Sequence, residues 1–372
     1  MKSKAILFPK PNKIEIGEVD VPDDLRPTDV LVRTQHSGLS TGTERWLLTA
    51  RFFRADSPIG GDRSFPLVPG YQKVGVVERV GEEVRAFRPG ERVFCAYGRI
   101  QSGAVPRDET GAKGGHIHYS IQDQNQVISI PPDIDAKAVA GLVLAQVGWN
   151  GASRPEVMEG DLAVVVGDGL VGQYAAQRLR SRGARVLISG RKPFRLRLAE
   201  RFSADRAHNQ HESPLKTAVQ DFKKDFPKKV NKEWEHPGWM SREESAIPDA
   251  REVDDAVGVD VVVDTTGSRE AVRQQSGLLR HNGHLVLLGW YPEPENQFLE
   301  DWFHMRELSV YSTGAYRRKR LADTLVAISE GHMKPAELVT HHVPVEEAPR
   351  IYRDLVLEKK EDFLSVVFDW GS

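Results

Sequence analysis

The chain has 372 residues, 40% of them hydrophobic and 28% charged. That composition fits a globular protein of two or three domains. Lys plus Arg number 51 against 53 Asp plus Glu, a net charge of −2, which argues against a nucleic-acid partner or a polybasic membrane surface. A single cysteine, Cys95, excludes a disulfide within the chain and a structural zinc on four cysteines.

The first 150 residues read as short β-prone runs: KAILF, KIEIGEV, VLVRT, KVGVVERVG, ERVFCA and QVISI, separated by Pro, Gly and Asp. VRAFRPGERV reads as strand, Pro-Gly turn and strand, and the run DVLVRTQHSG as a strand that ends in the loop SGLSTGTERW. Near Gly160 the pattern changes to strands alternating with helices. DLAVVV is a buried strand, GLVGQYAAQRLRSRG a helix, ARVLISG a strand and PFRLRLAERFSA a helix. Further on, VDVVVDTTG, SREAVRQQSGLLR and GHLVLLGW repeat strand, helix, strand. Such alternation predicts an α/β domain with a doubly wound parallel sheet. A polar stretch at about 208–257, containing Trp234 and Trp239, interrupts it. It reads as a charged surface insertion, a lid or an oligomer arm. The tail offers a helix, RKRLADTLVAISEGHM, and a last strand, FLSVVFDW. The expected domains are 1–150, completed by 312–372, and 151–311. No basic-then-apolar leader opens the chain and no run approaches the ~20 apolar residues that span a bilayer, so no membrane insertion and a cytoplasmic location are expected.

Gly167, Gly169 and Gly172 form GxGxxG between a strand and a helix. The first glycine permits the tight turn, the second lets backbone approach a pyrophosphate, and the third lets helix and strand pack closely. The helix start at Leu170 and Val171 then offers unpaired N–H groups to phosphates. Asp168 must point its carboxylate elsewhere. At the end of the next strand an acid would select NAD, but Gly190 stands there, followed by Arg191 and Lys192. Those cations, with Ser189, suit a 2′-phosphate and so favour NADP. Thr266 and the pair Gly289 and Trp290 end two later strands, and their loops should face the cofactor.

This order of parts resembles the medium-chain dehydrogenase/reductase superfamily, including GGHIHY at Gly114–Tyr119. The resemblance implies a GroES-like β-rich catalytic domain built from both chain ends and a Rossmann domain between. SGLSTGTERWLLT and FPLVPGYQKVGVVERVG are similar to the branch that includes 3-hydroxyethyl bacteriochlorophyllide dehydrogenases. A homodimer through the edge of the Rossmann sheet is also implied.

Zinc-dependent members of that family carry a Cys in the first loop, a His-Glu pair after PG, and a third ligand near the domain junction. Here those positions hold Ser40, Tyr71-Gln72 and the apolar run around Val143. A catalytic zinc needs three N, S or carboxylate ligands, so no catalytic zinc is expected. The relay hydroxyl of the family falls on Gly42. His116 and His118 have a metal-compatible spacing but read more simply as satisfied histidines. Without a metal, the alkoxide oxygen needs a hydrogen-bonding acid/base group. Tyr71 is the first candidate, followed by Ser40, Thr43 and Glu44. Alternatively, Tyr71 and Glu44 only brace the vacated site. Trp46, Phe52, Phe53, Trp149, Trp290 and Tyr291 are candidates to line an aromatic cleft, and Tyr316–Arg320 to meet phosphates or to start a solvated helix.

Three functions are compatible with these features. One is a zinc-independent, NADP-dependent alcohol dehydrogenase or carbonyl reductase acting on a small-molecule secondary alcohol or ketone, such as a ring-bearing or hydroxyethyl substrate. Another is a zinc-free quinone or enoyl reductase. The last is a non-catalytic NADPH-binding protein.

Overall fold

The computed structural model describes residues 1–51, 65–100, 112–227, 258–291, 303–304 and 306–371. They divide into two units, Met1–Gln146 with Ala315–Ser372, and Val147–Gly314.

The first unit is organised around one long strand, Asp29–Gly38, whose buried face carries Val30, Val32 and Thr34. Its ten residues are enough to pair three other strands. Lys73–Val80 runs antiparallel along most of it. Tyr119–Asp123 pairs with its first half and Val366–Asp369 with its last residues. The sheet continues through Arg92–Cys95 to Val127–Ser129, and His341–Pro344 adds in parallel to Val366–Asp369. The chain end thus completes a domain begun at its start. Two expectations change here. Val84–Phe87 is not a strand; both residues nevertheless bury their side chains against Val30, Val77 and Val93, so their apolar character reflects core filling rather than β pairing. The segment after Gly38 is not a loop but a helix, Thr41–Leu48, held inward by Leu47 and Leu48.

The second unit is a six-stranded parallel sheet. Its spatial order is Arg206–Asn209, Arg185–Gly190, Leu162–Val166, Val259–Asp264, Leu279–Leu287 and Ser309–Ser312. Leu162–Val166 and Val259–Asp264 are buried throughout, as strands covered on both faces require. Alternate residues feed two cores, one around Val165, Val186 and Leu179, the other around Val164, Leu187 and Phe222. The order, reversing after Leu162–Val166, is that of a doubly wound sheet.

The polar stretch placed at about 208–257 begins later than its composition suggests. Residues 208–209 belong to an edge strand and Leu215–Asp225 is a helix. Leu215, Ala218, Val219, Phe222 and Phe226 pack on the sheet at helical spacing, hidden among lysines and acids. Residues 228–257, with Trp234 and Trp239, lie outside the described residues, as do Phe52 and Phe53. The helix expected over SREAVRQQSGLLR ends at Ser276, with Gly277 as its cap, and the next strand starts at Leu279. No helix among the described residues is long and apolar enough to cross a membrane.

Candidate functional site

In the second unit the glycine turn has the geometry its spacing requires. Gly167 follows Val166 with φ +118°, a conformation that L side chains rarely adopt. A Cβ there would sit 2.1 Å from Thr265 Oγ1, and one on Gly172 2.1 Å from the Gly167 carbonyl oxygen. A Cβ on Gly169 would meet nothing within 4 Å, so the middle glycine borders open space. Gly169 caps the helix Leu170–Ser181 with extended backbone. The first intrahelical bond runs from Gln173 N–H to its carbonyl, which leaves the N–H groups of Leu170, Val171 and Gly172 without helical partners. These residues fit a bound pyrophosphate.

The carboxylate of Asp168 does point away. It accepts the backbone N–H groups of Arg191 (2.7 Å) and Lys192 (2.8 Å), with Arg195 at 3.7 Å. It covers Gly190 so closely that a Cβ there would lie 2.3 Å from its oxygen. The turn therefore has no room for an acid at the strand end, and the Arg191 and Lys192 side chains are exposed. Ser189 is a correction. Its hydroxyl is fully buried and bonds His208 Nδ1 (2.9 Å) and Gln210 Nε2 (3.1 Å). It lies opposite His208 in the strand register, and that cross-strand pair occupies its hydroxyl.

The loop after Val259–Asp264 is built on a carboxylate that the sequence does not single out. Asp264, wholly buried, accepts the Thr266 hydroxyl (2.7 Å), the Thr266 and Gly267 N–H groups (3.2 and 3.3 Å), Gln275 Nε2 (3.0 Å) and the Tyr291 phenol. Thr266 thus spends its hydroxyl on Asp264 and in turn accepts the Ser268 N–H at 3.1 Å. Burial and the adjacent Asp264 carboxylate push the Tyr291 phenol well above its ordinary pKa. The loop packs backbone to backbone with Gly289, and Trp290 beside it is 45% exposed.

In the first unit, Ser40 is the N-cap residue of Thr41–Leu48, so Thr43 and Glu44 occupy the opening of a helix. Tyr71 donates to Ser40 Oγ at 2.5 Å, and the Thr43 side chain also bonds Tyr71. Ser40 is buried and Tyr71 partly exposed. Burial, the largest cause, raises the Tyr71 phenol far above its usual pKa, and the Glu44 carboxylate adds to this. Tyr71 is therefore a neutral hydrogen-bonding group at physiological pH.

Glu44 has a different place. It is wholly buried. One oxygen accepts the Ser40 N–H at 2.7 Å, while the other meets His116 Nε2 at 3.0 Å and accepts the Tyr352 phenol. The other nitrogen of His116 contacts Ser37 Oγ at 2.8 Å, which also accepts Trp370 Nε1 at 2.8 Å. Glu44 is a bracing group here, with no direct bond to Tyr71 among the described residues. His116 is a satisfied core histidine, and His118 turns instead to Tyr119 and Trp370. Gln72, in the second ligand position, holds the Gly38 carbonyl and accepts the Val143 N–H at 3.1 Å. The donor set at the family's metal positions is thus two hydroxyls bonded to one another and an amide already spent. These residues do not fit a catalytic zinc.

Two residues near Tyr71 escape a sequence reading. Lys73 is fully buried, with Nζ donating to the carbonyls of Tyr97 (2.6 Å) and Gly114 (3.4 Å); burial lowers its pKa to about 8. Tyr97 stands between Tyr71 and Tyr316, ring centroids 6.0 and 6.3 Å apart. Only the strand register, Lys73 opposite Cys95, brings them to this place.

Comparison with known proteins agrees with this architecture. Residues 26–132 match the alcohol dehydrogenase GroES-like domain and residues 171–330 the family described as zinc-binding dehydrogenase. An L-threonine 3-dehydrogenase of Anaeromyxobacter dehalogenans is 28% identical over 322 residues, 82% of either chain. The 2-desacetyl-2-hydroxyethyl bacteriochlorophyllide A dehydrogenase of Cereibacter sphaeroides is 24% identical over 372 residues, covering 100% of this chain and 99% of that one. A solved Sinorhizobium meliloti 1021 structure bound to NADP has the same fold, with a TM-score of 0.76, 20% identity and 99% of each chain covered. The two domain matches, in the order and with the folds seen here, make this chain a medium-chain dehydrogenase/reductase of the alcohol dehydrogenase type.

Proposed function

We propose that the protein is a zinc-independent, NADP-dependent oxidoreductase that interconverts a secondary alcohol and a ketone. The observation that carries this reading is the Tyr71–Ser40 hydrogen bond at positions where zinc-dependent relatives hold metal ligands. When bound, a nicotinamide supplies or accepts the hydride. The protein's own task is at the oxygen of the reacting carbon. In the reductive direction a carbonyl oxygen gains negative charge as its carbon takes the hydride, and a phenol O–H aimed at it stabilises that charge. Tyr71 can turn its O–H from Ser40 to the substrate oxygen and give up that proton, so that the alcohol product keeps it; Ser40 then donates a hydrogen bond to the phenolate until solvent returns a proton to Tyr71. Since burial raises the Tyr71 pKa, reduction should show no loss from phenol ionisation below about pH 10.

NADP is favoured by the exposed Arg191 and Lys192 side chains beside Gly190, whose charges suit a 2′-phosphate. The similarity to the hydroxyethyl bacteriochlorophyllide dehydrogenase supports a ring-bearing or hydroxyethyl substrate. A homodimer in the cytoplasm is the corresponding expectation for its assembly and place.

The test follows nicotinamide absorbance with a chelator present, against secondary alcohols, polyols, hydroxyethyl tetrapyrroles, ketones and activated alkenes. Chelator-resistant turnover of an alcohol or ketone is expected. Activity lost to the chelator and restored by zinc would overturn zinc independence. Turnover of activated alkenes alone would move the protein to the quinone or enoyl reductases. Tight NADPH binding without turnover would favour a binding protein.

A further inference from the structure

We propose that His36, His342 and Asp369 form a site for a divalent transition metal of the zinc class, which clamps the chain's end onto its first domain. The three come from distant parts of the sequence. Antiparallel register sets Asp369 directly opposite His36. In the parallel neighbour, His342 lies opposite Val367, two residues before Asp369. Side chains alternate across a strand, so all three project from one face of the same three strands. The opposite face carries Ser37, Phe368 and Trp370, which pack inward.

One ligand atom from each residue lies within 4.8 Å of the others. His342 Nε2 is 3.4 Å from Asp369 Oδ2, and the two imidazole rings are 5.3 Å apart. Bonds of about 2.0–2.2 Å to zinc place tetrahedral donors about 3.3 Å apart. Closure therefore needs side-chain shifts of about one ångström, which partly exposed residues can make. Two imidazoles and one carboxylate are a donor set suited to zinc, with a fourth position left open. A second observation points the same way. Nδ1 of His36 is buried and has no hydrogen-bond partner among the described residues, a state that asks for an explanation. The surrounding charges are mixed, with Asp135 near His36 and Lys137 opposing it.

Such a site is separate from the Tyr71–Ser40 pair and does not depend on zinc-free catalysis. A metal held by the native chain and not by the unfolded one adds to stability in proportion to its binding. The experiment uses the full-length protein, stripped with a chelator and titrated with ZnCl2 by calorimetry and with CoCl2 by visible absorbance. Saturable binding at one site is expected, with a rise in Tm on adding zinc. His342→Gln and Asp369→Asn, both at partly exposed positions, should each weaken zinc binding by about 100-fold and remove the Tm rise. Turnover should remain unchanged in both variants. Absence of saturable binding at millimolar zinc would overturn the proposal. So would binding that survives in both variants, provided circular dichroism shows them folded.

Discussion

Two buried carboxylates organise the two units, and they do so over different distances in sequence. Asp264 collects Thr266, Gly267, Gln275 and Tyr291, all within 27 residues. Glu44 collects Ser40 from its own helix, His116 at a separation of 72 residues and Tyr352 at 308. The first rigidifies one βα loop beside the glycine turn. The second fastens a helix start, a mid-chain turn and the C-terminal return together. Loss of the local hub should chiefly alter ligand binding, and loss of the long-range hub should alter folding of the whole unit. A buried carboxylate is therefore not in itself a sign of catalysis; its partners decide its work.

The contrast can be broken most directly at Glu44. Glu44→Ala leaves His116, Tyr352 and the Ser40 N–H without their acceptor. It should cost about 3–5 kcal/mol, as for breaking a buried pair, read as a fall in the denaturation midpoint. A loss below about 1 kcal/mol would show that the network is not a brace. Tyr71→Phe should act in the opposite manner. Turnover should fall by about 10²–10³-fold, the typical cost of one oxyanion donor, while stability changes by only about 1 kcal/mol. If Tyr71→Phe retains activity but melts early, Tyr71 belongs with Glu44 as a structural group.

At the local hub, Asp264→Ala should cost about 2 kcal/mol for the donors it strands, with weaker NADPH binding as the larger sign. Calorimetry of the variant against the parent separates the two effects. The smallest change should come from Arg191→Ala. Its NADPH dissociation constant should rise about tenfold, near 1.4 kcal/mol, with NADH affinity unchanged. Equal losses for both nucleotides would show that Arg191 does not read the 2′-phosphate.

The glycine turn and the alternation of strands and helices were legible in sequence. Each depends on neighbours a few residues away, where spacing and backbone conformation are closely tied. The weaker readings fail for identifiable reasons. Ser189 lies at the expected strand end, but its place opposite His208 in the register engages its hydroxyl there. The stretch read as an insertion from about 208 begins with folded structure, because lysines and acids mask an apolar stripe ending at Phe222 and Phe226. Ser40, Thr43 and Glu44 were placed in a loop, whereas a helix begins there and separates their roles. Asp264 appeared only as the end of a strand, since its partners lie in loops whose path is not written in their composition.

What the sequence by itself determined is the class of fold and the turn that suits a dinucleotide, because these follow from local backbone geometry and residue chemistry. Only the tertiary structure decided that Tyr71 meets Ser40, that Glu44 is enclosed by His116 and Tyr352, and that His36, His342 and Asp369 share one face. Those contacts arise from strand register and helix packing between segments in places more than three hundred residues apart. Register is set by packing the whole sheet at once, and no window of sequence contains it.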